Sequence, residues 1–199
     1  MIADELKKYR IILASRSPRR QELLTELGLK FDTEVREWSE DYPPSLTGKD
    51  IALYVAEKKA SAFRHELKED EIVITADTIV WCNNRILDKP VDREDALNIL
   101  REISGNTHEV ITGVCLLSAS GKSTFFSSTR VTFNKLTEAE IEYYVDNFHP
   151  YDKAGAYGIQ EWIGLAACST IEGSYFNVMG LPVHQVYSEL QNFINNNTI

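Results

Sequence analysis

Hydrophobic positions in the first half of the chain alternate between short continuous runs and stretches of helical periodicity. Continuous runs indicate buried strands, whereas helical spacing indicates helices with one apolar face. Ser17 and Pro18 are typical of a helix start, and Gly28 is typical of a helix end. The pattern predicts strands at Arg10–Ala14 and Glu71–Ala76, helices from Ser17 to Gly28 and at Asp50–Phe63, and a hairpin of Ile79–Cys82 with Arg85–Leu87 around two asparagines.

The second half mixes the same spacings and has clearer boundary residues. Asp92 is a predicted helix cap, and Thr137 with Glu140 has the spacing of a capping box. The pattern predicts a helix from Asp92 through Ile103, paired strands Val110–Leu117 and Thr124–Phe133, a helix from Thr137 that stops before Pro150, a loop at Tyr151–Gln160, a strand around Ser174–Met179, and a last helix from Pro182 to about Phe193. Strand–helix units interspersed with hairpins predict an α/β fold with a mixed, twisted sheet and flanking helices.

Composition and charge exclude several classes of protein. The 199 residues are 43% hydrophobic, which suits one globular domain or two small lobes. A formal net charge of −9 repels a nucleic-acid backbone, so a general DNA or RNA binder is not expected. The three cysteines lack the spacing of a zinc site or disulfide framework. The chain also lacks a signal peptide or a membrane-length apolar stretch, which predicts a cytoplasmic protein with no membrane partner.

The segment Ser15–Arg20 places two arginines where a helix is predicted to begin. A helix N-terminus carries partial positive charge, so Arg19 and Arg20 are unfavourable there unless an anion is bound. Such an anion would accept hydrogen bonds from backbone N–H groups, from Ser15 and Ser17, and from a guanidinium. A capped helix with two solvated arginines explains these residues equally well. The helix dipole predicts that Arg20→Ala barely harms stability, or slightly raises it.

Two acidic residues are candidates for metal binding or proton transfer. Asp77, followed by Thr78, closes a predicted strand, and α/β proteins bind ligands beside the ends of their strands. A carboxylate in that position can hold a divalent cation or accept a proton from water. Taken alone, Asp77 fits a turn or cap aspartate better. Glu40 is either a second metal carboxylate or a solvated loop residue.

Two lysines are candidates for contacts with phosphate. Lys89 precedes Pro90, which favours an extended backbone, although an exposed edge-strand lysine is the simpler interpretation of this residue. Lys59 lies on a partly apolar face of a predicted helix. Its ammonium group either contacts phosphate or extends from a packed stem into water.

The loop Asp152–Gln160 combines glycines with a terminal glutamine. Glycine permits a close approach of the backbone to a ligand. The amide of Gln160 can donate and accept hydrogen bonds at once, which suits the edge of a nucleobase. An ordinary surface loop is the alternative interpretation.

Together these segments resemble the Maf family. The matching segments follow the family's order and extend over nearly the whole chain. They are LASRSPRR (Leu13–Arg20), EKKA (Glu57–Ala60), ADT (Ala76–Thr78), DKP (Asp88–Pro90), SGNTHEVITGV (Ser104–Val114), DKAGAYGIQ (Asp152–Gln160) and GSYFNVMGLP (Gly173–Pro182).

The resemblance implies one Maf-type domain, residues 1–199, with an elongated α/β fold similar to inosine triphosphate pyrophosphatases and two lobes around a nucleotide cleft. It implies a pyrophosphatase that releases a nucleoside monophosphate and uses a divalent cation, Mg²⁺ or Mn²⁺. By motif position, Asp77 would be the catalytic proton acceptor, and Asp77 with Glu40 would hold the metal. Ser15, Ser17, Arg20, Lys59 and Lys89 would line the phosphate path, and Arg19, Thr78 and Gln160 would tune substrate choice.

The forms ADT and YGIQ are similar to the branch of the family that acts on dTTP and UTP. The chain departs from the usual pattern at Arg16, where a small residue is common, and at Glu161, where glycine is common. An acidic neighbour of Gln160 can repel base carbonyls or attract an amino group. Two alternatives stay open: a house-cleaning enzyme for modified nucleotides such as 7-methyl-GTP, and a nucleotide-sensing regulator of cell division without turnover. The resemblance also implies a homodimer.

Overall fold

The structure, a computed structural model, describes residues 6–39 and 41–197. These residues form a seven-stranded sheet in the order β2-β1-β3-β5-β6-β7, with β4 paired to β3. The strands are β1 (Arg10–Leu13), β2 (Asp32–Thr33), β3 (Glu71–Cys82), β4 (Arg85–Leu87), β5 (Thr107–Ser118), β6 (Lys122–Phe133) and β7 (Cys168–Glu172). The helices are α1 (Pro18–Glu26), α2 (Lys49–Ser61), α3 (Arg93–Ile103), α4 (Glu138–Phe148), α5 (Trp162–Ala167), α6 (Tyr175–Met179) and α7 (Val183–Asn197).

Strand directions make the sheet mixed. β1 is parallel to both β2 and β3, whereas β4 is antiparallel to β3 and β7 is antiparallel to β6. The predicted α/β fold with a mixed sheet and flanking helices is confirmed. Of residues 6–39 and 41–197, none belongs to a helix with the length and apolarity that a membrane span requires.

The caps of α3 and α4 and the turn predicted from local sequence are present in the structure. Asn83 and Asn84 have φ values of 48° and 60° and form the predicted hairpin turn between β3 and β4. Asp92 accepts from the backbone N–H of Asp95 at the start of α3. The predicted capping box of α4 is present. These features are short-range, so they form wherever the local sequence allows them.

The predicted strand around Ser174–Met179 is wrong, because this segment contains the short helix α6. The Ser174 hydroxyl accepts from the backbone N–H of Asn177 at 3.3 Å, which favours a helical turn. The buried Asn177 amide donates to the Val110 carbonyl at 2.9 Å and to the Thr129 hydroxyl at 3.0 Å. These long-range bonds select the helix over the strand suggested by the apolar pattern.

The predicted strand end at Asp77 also needs correction, because β3 continues to Cys82 without a break. The pairing of β3 with β1 stops at Ile74, whose carbonyl also accepts from the N–H of Ala14 at 2.9 Å. Asp77 therefore lies inside a strand but beyond its parallel partner.

The described residues divide into two compact units. Unit 1 comprises Met1–Asp77, Thr112–Ser127 and Gly180–Ile199. In it, α2 packs directly on β5, since a Cβ atom at Gly113 would approach the Ala52 carbonyl at 2.4 Å. The Thr75 hydroxyl donates to the Ala56 carbonyl at 2.6 Å and joins β3 to the same helix. These contacts fix α2 against the sheet.

Unit 2 comprises Thr78–Ile111 and Ser128–Met179. Its core includes Leu100, Phe133 and Tyr144, which are fully buried. His108 is also buried here, and its Nε2 atom lies 2.8 Å from the Tyr157 hydroxyl. Burial lowers the pKa of His108 to about 4, so this imidazole is neutral at pH 7.

Candidate active site

The turn between β1 and α1 contains the serines and arginines singled out from the sequence. Ser15 is buried, and its hydroxyl accepts from the backbone N–H of Ser17 at 3.2 Å and from Arg20 Nη1 at 3.4 Å. Ser17 is the residue before α1, as predicted, but its side chain makes no capping hydrogen bond. The backbone N–H groups in the first turn of α1 are therefore not capped by the Ser17 side chain.

Arg20 is anchored within unit 1. Its Nε donates to the Gly180 carbonyl at 2.8 Å, and Nη1 donates to the Ala76 carbonyl at 2.9 Å. Burial lowers the pKa of the guanidinium, while the charge of Asp77 acts in the opposite direction. These hydrogen bonds contradict the interpretation of Arg20 as a solvated side chain, so we now expect Arg20→Ala to lower stability.

Lys59 and Asp77 form an ion pair in unit 1. Lys59 Nζ lies 2.7 Å from Asp77 Oδ1, and the two side chains are only 16% and 21% exposed. The same ammonium lies 3.3 Å from the Ala76 carbonyl. Of the predicted site residues, Arg20, Lys59 and Asp77 are thus brought together around a single peptide carbonyl.

Trp38 is a neighbour of the site that the sequence did not predict. In the structure, the Lys59 ammonium lies 4.6 Å from the centre of the Trp38 ring, a distance at which a cation is attracted to the π face. Cation–π pairing gives no periodic signal, so only the position of Trp38 two residues before Glu40 in the sequence could have drawn attention to it.

The donor set at Asp77 is compatible with a divalent cation. Asp77 Oδ1 accepts from Lys59, and no described residue donates to Oδ2, which therefore keeps lone pairs for a ligand. Mg²⁺ is commonly held by one or two carboxylates together with substrate phosphates. The described residues contain no cluster of three or more potential protein ligands, and Glu40 lies outside them. Its predicted role in metal binding stays a prediction.

The remaining predicted residues lie in different places. Arg19 is a half-buried residue in the first turn of α1. Thr78 follows Asp77 in β3 but belongs to unit 2. Lys89 and Gln160 also belong to unit 2. Both are exposed, Lys89 after β4 and Gln160 at the end of its loop. Their predicted roles stay predictions.

Gln160 lines an open groove of about 390 Å³ within unit 2. The lining also includes Ile159, Thr170 and Tyr175, so apolar, hydroxyl and aromatic groups share the groove with Gln160. This mixture can stack against a planar ring and form hydrogen bonds with its edge.

The fold and site define an α/β protein with an arginine-bearing helix start and a lysine–aspartate pair, both suited to an anionic ligand. The chain belongs to the Maf-like protein family, whose model matches residues 10–193.

Two similar relatives are named dTTP/UTP pyrophosphatase. The protein of Flavobacterium johnsoniae is 49% identical over 194 residues, which are 98% of this chain and 100% of the relative. The protein of Phocaeicola vulgatus is 50% identical over 189 residues, which are 94% of this chain and 98% of the relative.

One solved structure, the Staphylococcus aureus Ham1 protein, is 13% identical and covers 62% of this chain and 71% of its own. The TM-score of this match is 0.42.

Proposed function

We propose that this chain is a nucleoside triphosphate pyrophosphatase that hydrolyses dTTP and UTP to the nucleoside monophosphate and pyrophosphate. The convergence of Arg20 and Lys59 on the Ala76 carbonyl, directly before Asp77, carries this proposal. Two cations and one carboxylate in a partly buried place suit a substrate with several negative charges and a water that must lose a proton. Relatives with this activity in their names support the same function.

Phosphate binding is the first task of the proposed mechanism. Arg20 and Lys59 neutralise the negative charge that otherwise repels an attacking water, and Ser15 and Ser17 contribute hydroxyl groups beside the N-terminus of α1. Arg20 and Lys59 are already fixed by carbonyl groups and Asp77, so little further ordering is required when substrate binds. On the family resemblance we assign Lys89 to the same path.

Asp77 performs the second task by accepting the proton of the attacking water. Its Oδ1 atom is oriented by Lys59, and Oδ2 faces no described hydrogen-bond donor. Attack at the α phosphorus then breaks the bond to the bridging oxygen and releases pyrophosphate.

A divalent cation is part of this proposal, with Asp77 and Glu40 as its protein ligands. When bound, Mg²⁺ or Mn²⁺ supplies positive charge to the phosphate oxygens and lowers the pKa of a bound water. A cytoplasmic location stays a prediction, and so does the homodimer that the family resemblance implies.

The identity of the products tests where the bond breaks. With Mg²⁺ and UTP, we expect UMP and pyrophosphate, and in water enriched in heavy oxygen the label should enter UMP. Mass spectrometry of both products measures this directly. Label in pyrophosphate would place the attack at the β phosphorus, and UDP with orthophosphate would exclude a pyrophosphatase. Nucleotide binding with no product at all would favour a sensing protein.

Substrate choice is a separate prediction. We expect higher kcat/KM for dTTP and UTP than for CTP, ATP, GTP or 7-methyl-GTP, because uracil and thymine present two carbonyl acceptors beside one N–H donor and the Gln160 amide complements both types of group. Arg19 and Thr78 are assigned to the same selectivity on the resemblance. Gln160→Leu should lower the UTP-over-CTP ratio by up to about tenfold, since the uracil edge loses a hydrogen bond worth about 0.5–1.5 kcal/mol. A preference for 7-methyl-GTP would support the alternative substrate class.

A further inference from the structure

The loop that carries Gln160 is held by a buried polar cluster that the proposed reaction does not use. Glu161 follows Gln160 and precedes helix α5. The buried Tyr144 of α4 donates its hydroxyl hydrogen to Glu161 Oε2. The same hydroxyl accepts from the backbone N–H of Gly158 at 3.0 Å. The Tyr144 hydroxyl therefore contacts the loop twice, at the backbone of Gly158 and at the side chain of Glu161, the residue that follows the loop.

Lys153 occupies the second oxygen of the same carboxylate. Its side chain is 9% exposed, and Nζ lies 3.2 Å from Glu161 Oε1 and 2.6 Å from Asp152 Oδ1. A buried lysine and a partly buried glutamate are stable when each has a charged partner, and breaking such a pair is costly. The cluster of Tyr144, Lys153 and Glu161 thus joins the start of the loop, its end and helix α4.

Gly158 shows how closely the carboxylate lies against the loop. A Cβ atom at this position would approach Glu161 Cδ at 2.8 Å and both carboxylate oxygens within 3.1 Å. Because Gly158 has no side chain, the Glu161 carboxylate can lie directly against the backbone at Gly158, which is two residues before Gln160. This contact leaves the segment from Gly158 to Gln160 little freedom to move.

We propose that Glu161 is a positioning residue that fixes the Gln160 amide in its groove and thereby sets pyrimidine selectivity without contacting the base. The inference rests on the proposed function, in which Gln160 binds the base. Both carboxylate oxygens of Glu161 have partners inside unit 2, Tyr144 and Lys153, so the side chain is held by the protein and has no need of a contact with the base.

A set of variants separates positioning from general stability. Glu161→Ala and Tyr144→Phe each remove one part of the cluster, and Glu161→Gln retains an acceptor for the Tyr144 hydroxyl. We expect both disruptive variants to lower the UTP-over-CTP ratio of kcat/KM by about tenfold through a higher KM for UTP, with kcat within about threefold of wild type. Glu161→Gln loses the ion pair with Lys153 and should therefore restore only part of the ratio.

Matched controls come from neighbouring residues of α4. Glu142 and Tyr143 are exposed on the same helix, so Glu142→Ala and Tyr143→Phe should leave the ratio unchanged. In a Gln160→Leu background, Glu161→Ala should produce no further change, because the amide that it positions is already absent. Circular dichroism identifies any variant that does not fold. If Glu161→Ala does not fold, Tyr144→Phe and Glu161→Gln are compared with wild type instead.

The outcomes distinguish this inference from the proposed function. If wild type prefers UTP over CTP and the folded Glu161→Ala and Tyr144→Phe proteins keep that preference, the positioning role is wrong and the proposed function stands. If both variants lose kcat equally for UTP and CTP, the cluster is structural only, and the inference is also wrong. A wild type that hydrolyses nucleotides without pyrimidine preference contradicts the proposed substrate choice and this inference together.

Discussion

Asp77→Asn is expected to lower kcat for UTP by about 10²- to 10⁴-fold, the range typical of losing a general base. Asparagine has nearly the same shape, but it cannot accept the proton of the attacking water and is a poorer metal ligand. It also weakens the 2.7 Å contact with Lys59, so we expect the free energy of unfolding to fall by about 1–3 kcal/mol. Steady-state kinetics and urea unfolding measure the two effects separately.

Asp70→Asn is the matched control for this variant. Asp70 is exposed immediately before β3, so the same chemical change near the other end of the strand should leave both kcat and stability close to wild type. A folded Asp77→Asn protein with nearly normal kcat would remove Asp77 from the proposed mechanism. Its nucleotide affinity should stay measurable, since Arg20 and Lys59 remain.

Arg20→Ala is expected to reduce both catalysis and stability. Loss of a charge-assisted contact to phosphate should lower kcat/KM by about 10- to 100-fold, the equivalent of about 1.5–3 kcal/mol. The free energy of unfolding should fall by about 1–3 kcal/mol, because the carbonyls of Ala76 and Gly180 lose a donor. Arg20→Lys retains the charge but not the two-pronged geometry, so it should restore only part of each loss.

Arg16→Ala provides the control, because Arg16 is exposed on the same turn. Arg16→Ala should change neither kcat/KM nor the free energy of unfolding appreciably. A loss of stability in Arg20→Ala with unchanged kcat/KM and nucleotide affinity would show that Arg20 is structural. A loss of affinity with unchanged stability would mean that its two carbonyl contacts contribute nothing to the fold.

Most of the fold could be predicted from short-range signals. Each of these signals depends on residues within a few positions of one another, so the sequence pattern is enough to predict it. The signals are Pro18 at the start of α1, the Asp92 cap of α3, the asparagine turn and the capping box of α4. The helix α6 was mispredicted because the aromatic and apolar residues after Ser174 fit either periodicity, and the deciding bonds of Asn177 reach residues far away in the chain.

At the candidate site, too, short-range signals could be predicted from the sequence and long-range contacts could not. Local sequence context made Arg20, Lys59 and Asp77 candidates and the family resemblance gave them roles; the structure places the three around the Ala76 carbonyl. From its neighbours in the sequence Arg20 is expected to be solvated or bound to a ligand, and they do not predict its bond to the Gly180 carbonyl. That contact joins residues 160 positions apart, and no local pattern encodes it.

The sequence by itself determined which side chains are available, the class of fold and the family. It did so because caps, turns, periodicity and motif order are properties of neighbouring residues. Only the tertiary structure decided which polar atoms are already bonded within the protein. Glu161 illustrates the difference: beside Gln160 in the sequence it was a candidate to face the base, whereas in the fold Tyr144 and Lys153 engage both of its oxygens. Partners of a buried charge come from whichever elements pack around it, and packing follows from the whole chain.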